Sequence, residues 1–443
     1  MKLKTLTTAM ILATVPMTGA FAAALDRSDQ SMAAFLQPGN YFEAGISVLD
    51  PDVSGKEAGT SETRRNIDTA GDDYFPSAAL KFQPTEKFSV GILYDQPYGA
   101  DAEYQGTNVF TSNPGTDTIL STGAINNIVR ARAVAALEAL GAPVNEQTLA
   151  GAEAQVRSSP AFQQLTGALA AGNNFLGEGN SKVEVDTQNL SLVFGYQPTE
   201  NWNVYAGPVY QTVKAKVSLR GTAYGGPTAV GGYDIALKED DAYGWLAGFA
   251  YQIPAIALKA AVTYRSEIKH EVETFETFGL GKLIFPSSTT EVTTPQSVNL
   301  DLQSGIAKNT LAFANIRWVH WSQFAVTPNV LKEKSKNNLI DYSDDQWSAT
   351  VGLGHKFNAK WSGTAAVGWD SGAGNPVTTL GPVEGYWSVG LGGQYSPAEN
   401  YFIQAGVKYF WLGDAQAQTG GRVAGSFEDN TALGYGMKIG YRF

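Results

Sequence analysis

The chain has 443 residues, with 42 Asp and Glu against 31 Lys and Arg, a formal net charge of −11 and no cysteine. The acidic balance argues against a nucleic-acid-binding surface, which needs a basic footprint, and the lack of Cys removes thiolate metal sites and cysteine nucleophiles. Mean hydropathy is −0.15 in a chain holding 48 Gly, 20 Tyr, 21 Phe and 9 Trp, the middling value to which strands with one lipid face and one wet face average.

At the N-terminus, Lys2 and Lys4 precede an apolar run opened by Ala9–Val15, and Ala20-Phe21-Ala22 supplies a small-x-small cleavage pattern. This predicts a secretory signal over residues 1–22, with cleavage after Ala22 or Ala24. No later apolar run approaches the roughly 20 residues of a membrane helix. A membrane protein built from this chain must therefore be a closed barrel, because only helices and barrels satisfy every backbone group in lipid.

Residues 25–39 come next and are expected to form a short luminal plug. Their apolar cluster, Met32-Ala33-Ala34-Phe35-Leu36, is too apolar for a free tail, and Phe35 and Leu36 are the candidate gate. From residue 40 to 443 the chain reads as a transmembrane antiparallel β-barrel, an all-β fold. Period-two alternation is cleanest at the C-terminus, where Leu433, Tyr435, Met437, Ile439, Tyr441 and Phe443 share one face, and Gly434, Gly436, Lys438, Gly440 and Arg442 the other. Successive strand side chains point to opposite faces, so the first set can meet lipid and the second the lumen.

The same pattern predicts about fourteen strands, near 40–50, 76–83, 88–98, 181–196, 201–220, 241–252, 256–275, 294–305, 309–324, 342–357, 360–370, 384–395, 400–412 and 429–443. The fifth shifts parity near Gln211, from Val204 and Ala206 outward to Val213, Ala215 and Val217 outward, which predicts a bulge. Short turns such as Gln83-Pro84-Thr85-Glu86 and Gln197-Pro198-Thr199-Glu200 join strands on one side and long loops on the other, the asymmetry of periplasmic and extracellular faces. The long loop after the third strand is Ala-rich over about 121–176, with Ile125, Ile128, Val129, Ala133, Ala136, Leu137 and Leu140 at helical spacing. It is expected to be a helical extracellular insert. Its apolar stripe is either a docking surface, with Leu137 and Leu140 as candidate ligand contacts, or the insert's own core.

Chemistry other than transport has little support. The three histidines, His270, His320 and His355, form no catalytic or metal-ligand spacing, and His270 and His355 fall on the outward face of the register. No enzyme activity, metal or cofactor is expected. Many inward positions are Gly, among them Gly244, Gly248, Gly352, Gly390, Gly406 and Gly440, which predicts open luminal volume. Charges sort inward as well, since a lipid-facing charge costs a few kcal/mol at the midplane. They are Lys81, Lys259, Arg265, Lys269, Arg317, Lys356, Lys408, Lys438 and Arg442, opposed by Glu43, Asp95, Glu267, Glu271 and Asp370. Arg265 and Arg317 are candidates to hold a ligand carboxylate, unless the charges only brace the barrel; Arg265 with Glu267 is the first such pair. Leu93, Leu246, Phe313, Phe402 and Phe410 are candidate pocket walls.

Four short motifs carry a family resemblance. Along the chain, Asp50-Pro51-Asp52-Val53, Tyr243-Gly244-Trp245, Thr263-Tyr264-Arg265-Ser266-Glu267-Ile268-Lys269 and Trp321-Ser322-Gln323-Phe324 occur in the order and spacing of the FadL family of outer-membrane long-chain fatty-acid and hydrocarbon transporters, which the chain resembles from about residue 40 to 443. The resemblance implies a fourteen-stranded barrel with an N-terminal hatch. Ligands would land on helical loops, enter an apolar pocket, and leave past the hatch or through a lateral gap at a kinked strand. The family's longer hatch and its Asn-Pro-Ala motif have no counterpart in residues 25–39.

The combined reading is an outer-membrane channel of a Gram-negative bacterium for hydrophobic molecules, with long-chain fatty acids first. Its expected partners are the ligand, outer-membrane lipid and lipopolysaccharide, and the barrel assembly machinery that reads the terminal aromatic strand. The alternatives are a general porin for small polar solutes and a structural or adhesive barrel with a closed lumen.

Overall fold

The computed structural model describes residues 25–58, 66–71, 73–106, 108, 110–224 and 230–443; the expected signal segment lies outside them. Fourteen antiparallel strands make the wall: β1 Tyr41–Glu57, β2 Asp73–Phe82, β3 Phe88–Asp95 continued by Gly99–Gly106, β4 Lys182–Thr199, β5 Trp202–Leu219, β6 Tyr233–Ile253, β7 Leu258–Arg265 continued by Ile268–Phe278, β8 Ser288–Thr294 with Ser297–Ala307, β9 Thr310–Val319, β10 Gln346–Lys356, β11 Trp361–Asp370, β12 Tyr386–Ala398, β13 Tyr401–Leu412 and β14 Thr431–Arg442. The barrel closes where β1 pairs with β14, in a ladder from Tyr41↔Arg442 to Asp52↔Thr431. Among the described residues no helix is long and apolar enough to cross a membrane, and every strand of the wall finds neighbours on both sides, as lipid demands of a sheet.

Lipid-facing positions follow the expected alternation. Tyr435, Met437, Ile439 and Tyr441 of β14 are exposed, as are Tyr401, Ile403, Val407 and Trp411 of β13 and Trp387, Val389 and Leu391 of β12. Aromatic side chains cluster at the two ends of this band, Tyr210 with Tyr243 at one end and Trp202 with Tyr251 at the other, which is where amphipathic rings meet headgroups.

Two registers differ from the expectation. Strand β5 has no bulge at Gln211: its alternation is unbroken, and Val213, Ala215 and Val217 point inward, with Lys214 and Lys216 outward. Above the lipid band the wall stands in water, so charges belong outside and the lumen is free to be apolar, the reverse of the membrane pattern. Strand β7 is the second case. It breaks at Ser266–Glu267, so that Arg265 and His270 both face inward while Glu267, Lys269 and Glu271 turn to the outer surface. His270 is fully buried, held by Asp240 Oδ2 at 3.1 Å and Gln211 Oε1 at 3.0 Å. Lys269 instead pairs with Glu291 on the outside. No Arg265–Glu267 pair forms, because the break puts the two on opposite sides of the wall.

Several strands run further than their patterns suggested. Strand β6 begins at Tyr233 and β7 ends at Phe278, because their upper halves alternate in the reversed sense. Strand β9 stops at Val319, and Trp321–Gln323 form a single 3₁₀ turn. The luminal glycines do not leave open space throughout. The Phe402 ring lies on Gly440, Phe313 on Gly352 and Tyr205 on Gly248, so these glycines seat aromatic rings.

The helical insert is three helices, α1 Thr122–Ala139, α2 Glu146–Ser158 and α3 Pro160–Leu176. Ser121 caps α1 through Ala124 N–H, and an Asn145/Thr148 capping box starts α2.

Candidate functional site

The lumen is divided by residues 25–39. At their start the chain adds a short strand to β3, which turns inward at Gln96-Pro97-Tyr98: Arg27 N–H donates to the Pro97 carbonyl at 2.7 Å and Gly99 N–H to the Leu25 carbonyl at 2.9 Å. Pro97 cannot continue a ladder, which is why the strand breaks there. Beyond this point the segment is held from the wall. Arg317 Nε donates to Asp26 Oδ2 at 2.8 Å, both groups buried, while its other nitrogens reach Asn299 Oδ1 at 2.7 Å and Gln30 Oε1 at 3.1 Å. Arg265 Nη2 donates to the Gln30 carbonyl at 3.0 Å, and Ser28 Oγ donates to Asp95 Oδ2 at 2.8 Å. Gln30 sits in the left-handed region at φ 49°, a conformation a non-glycine residue keeps only when its surroundings fix it.

Met32, Phe35 and Leu36 then fill the barrel with a single packed cluster. Leu93, Val193, Tyr205, Leu246 and Phe402 surround them. A Cβ added to Gly91 or Gly195 would stand 2.7 or 2.9 Å from the Phe35 ring, so two luminal glycines form the seat of that ring. Lys259 Nζ donates to the Leu36 carbonyl at 3.1 Å and Lys81 Nζ to that of Gln37, closing the last turn of the segment with two cations. Residues 25–39 are therefore packed inside the barrel.

Above the plug lies an apolar chamber. Val183 and Val185 of β4, Val213 and Val217 of β5, Leu237 of β6 and Val292 of β8 line its wall, Leu25 and Tyr98 its floor, and Leu339, Ile340 and Leu380 its roof. Trp321 and Phe324 complete one side; the Trp321 ring meets Tyr98 edge-on at 5.5 Å and its Nε1–H donates to Gln346 at 2.8 Å. Among the described residues no charged side chain lines the chamber; Thr187, Thr294 and Tyr98 are its polar members. The roof loop is tied down by Tyr104 Oη–H to the Thr379 carbonyl and by Tyr224 Oη to Thr379 Oγ1 at 2.9 Å.

Two openings flank the plug. Below it a vestibule of about 510 Å³ is lined by Leu36, Phe313, Ala250, Lys259, Asp301 and several amides. Beside it the wall is discontinuous: β2 and β3 pair only from Ala78↔Tyr94 to Phe82↔Val90, and above this Asp73–Ser77 hold β1 but not β3. The Arg27–Asp73 ion pair, 3.7 Å, reaches across that gap.

The residues singled out in the sequence divide by place. Leu93, Leu246, Phe402, Phe35 and Leu36 meet one another in the plug's packing, and Arg265 and Arg317 are its anchors. Phe313 lines the vestibule, and Phe410 belongs to a separate cluster with Tyr386 and Phe427. Leu137 packs inside the helical insert with Ala133 and Leu149, while Leu140 is 82% exposed at its tip. The chamber's valines were missed, although Lys182-Val183-Glu184-Val185-Asp186 and Val213-Lys214-Ala215-Lys216-Val217 carry a readable signal: next to the long loops the outer surface meets water, so the charges can face out and the alternating apolar set in.

The sequence pattern of the family described as outer membrane protein transport protein (OMPP1/FadL/TodX) matches residues 127–443. The chain belongs to this family. As a member of it, the protein is a multi-pass outer-membrane barrel of a transport family. The fold agrees with that of a Pseudomonas aeruginosa FadL homologue (12% identity, 93% of this chain and 92% of that one, TM-score 0.59) and of the Pseudomonas putida toluene transporter TodX (12%, 97% and 96%, 0.60). The Ralstonia pickettii toluene transporter TbuX aligns over 97% of this chain and 99% of its own at 11% identity, TM-score 0.53. No curated protein is significantly similar in sequence.

Proposed function

We propose that this barrel takes up uncharged hydrophobic molecules of hydrocarbon character, holding them in the chamber above the plug. The observation that carries this reading is the chamber lining, which is apolar and free of charge although the outer surface at the same height is dense in Lys, Glu and Asp. A fatty acid is the weaker candidate within the same class. Its carboxylate would need a cation, and the two arginines nearest the axis are already bonded to Asp26 and Gln30. Burying an unpartnered charge costs several kcal/mol.

In this reading a ligand passes beneath the roof loop into the chamber, the plug bars the straight path to the periplasm, and the gap between β2 and β3 offers a way into the wall. A general porin is disfavoured by the seated plug and its rings. A purely structural barrel is disfavoured by the chamber itself. The outer wall is expected to be covered by lipid and lipopolysaccharide, and Phe443 to be read by the assembly machinery. The test is equilibrium binding to the detergent-solubilised barrel of a neutral aromatic hydrocarbon and of a fatty acid of similar size. The expected result is a Kd at least about tenfold lower for the neutral compound. Tighter binding of the fatty acid would overturn the choice of substrate class.

A further inference from the structure

The vestibule below the plug has a different chemistry from the chamber above it. Amide side chains converge on it from around the wall: Gln83 in the turn after β2, Gln197 on β4, Asn203 on β5, Gln252 on β6, Gln303 on β8 and Asn315 on β9. The plug adds Gln37 from its own side. Residues of the short turns, Gln83, Pro254 and Ala257, belong to the lining, so the cavity lies at the periplasmic end of the barrel.

These amides carry more hydrogen-bonding capacity than the protein uses. Asn203 is 5% exposed, and among the described residues its Oδ1 has no partner. An amide offers one acceptor oxygen and an NH2 with two donors. Gln197 accepts from Gln83 Nε2 at 3.0 Å, which leaves its NH2. Gln303 commits its NH2 to the Ala257 carbonyl at 3.2 Å, and Asn315 its own to Asp301 Oδ1 at 2.8 Å, which leaves both oxygens. Donors and acceptors therefore face one cavity together. A hydrocarbon there would leave them buried without partners. An anion would meet Asp29 and Asp301 against Lys259, whose Nζ already donates to the Leu36 carbonyl at 3.1 Å. A hydroxyl, which both donates and accepts, matches the amides. Leu36, Ala250, Ala257 and Phe313 add apolar surface to the same cavity, and a sugar ring divides in the same way, into hydroxyl rim and C–H faces. The volume, about 510 Å³, lies within the range of small-molecule sites.

We propose that the vestibule is a second ligand site, taking a neutral saccharide from the periplasm, and that the bound sugar holds the plug in place. One face of the site is the plug itself, through Ser31, Leu36 and Gln37, and the other is the wall, through Asn203, Gln303 and Asn315. A ligand that bridges the two binds only the packed plug, so mass action stabilises that state. A free disaccharide and a glycan strand of the cell wall present the same chemistry from two sources. The site is separate from the chamber and does not depend on what the chamber holds.

The test uses the full barrel in lipid nanodiscs, titrated calorimetrically with two probes, trehalose for a free disaccharide and N,N′-diacetylchitobiose for wall glycan. Binding of either supports the site, and the tighter of the two names the source. Asn203→Leu keeps the shape of the side chain and removes the unpartnered oxygen, and Gln303→Leu removes a second acceptor. Each is expected to raise the Kd at least about tenfold, with the barrel still heat-modifiable. Saturating sugar is also expected to slow hydrogen exchange across residues 31–39 in the parent protein and not in the variants. Binding of neither sugar at about 10 mM overturns the site. Binding that both variants leave unchanged places the sugar elsewhere and overturns it as well. Binding without slower exchange in residues 31–39 overturns the hold on the plug.

Discussion

Arg317 shows how much a single luminal side chain decides. Its guanidinium satisfies Asp26, Asn299 and Gln30 at once in a buried position. Arg317→Ala would leave the Asp26 carboxylate buried without its cation, a loss of roughly 3–5 kcal/mol in comparable buried pairs. The expected outcome is undocking of residues 25–39, read as faster hydrogen exchange across that segment with the barrel still heat-modifiable. Protection equal to the parent protein would count against the anchor. Glu384, in the roof loop, is the second case. Burial pushes its carboxyl up to about 7, against a hydrogen bond from Gly374 N–H that favours the ionised form, with Asp344 nearby raising it further. A raised carboxyl stabilises the loop below its ordinary pKa, and that contribution is lost as pH rises through about 7. Proteolysis of the loop around Leu380 should therefore increase between pH 6 and pH 8, and Glu384→Gln should remove the dependence. A flat profile in the parent protein would refute it. None of this was visible in the sequence. Arg265 and Arg317 could be placed in the lumen by the cost of charge in lipid, but their partners lie more than 200 residues away in a segment that has no strand pattern of its own.

At the scale of elements, the strands were legible wherever lipid sets the alternation, as in β12, β13 and β14, because one face must be apolar throughout. They were misread where the wall leaves the membrane. In β5 the inward parity never changes, but the apolar set moves from the outward positions Val204 and Ala206 to the inward chamber valines, and assuming that apolar means outward produced a bulge that does not exist. In β7 the opposite happened: a true break at Ser266–Glu267 was read through as continuous. The reversed pattern in β4 and β5 yields its own prediction. Val217→Asp places an unpartnered charge in the chamber and should weaken binding of a neutral hydrocarbon at least about tenfold, since the cost is several kcal/mol. Lys214→Val on the outer face should leave binding unchanged. Equal effects of the two would show that the chamber is not the site. The helical insert separates in the same way. Leu137→Ser removes a buried contact with Leu149 and should raise proteolysis of the insert, by a loss on the order of 2 kcal/mol. Leu140→Ser removes no packing, so any loss of ligand capture in that variant reports docking at the tip.

Taken whole, the molecule is a wall of fourteen strands wrapped around a fixed plug, with an apolar chamber on the extracellular side and a wide amide-lined vestibule toward the periplasm. The plug's packing explains why a segment of fifteen residues, 25–39, is enough to divide the lumen: luminal glycines accept Phe35, and Arg265, Arg317, Lys81 and Lys259 hold its backbone and carboxylates. Transport then depends on what the chamber holds and on how its contents reach the wall. Anomalous diffraction from crystals of the barrel grown with 1-bromonaphthalene locates the bound ligand. The expected result is a bromine peak inside the chamber, among Val185, Val213, Trp321 and Leu380. Bromine found only in the vestibule below the plug, or only on the lipid face, would contradict it.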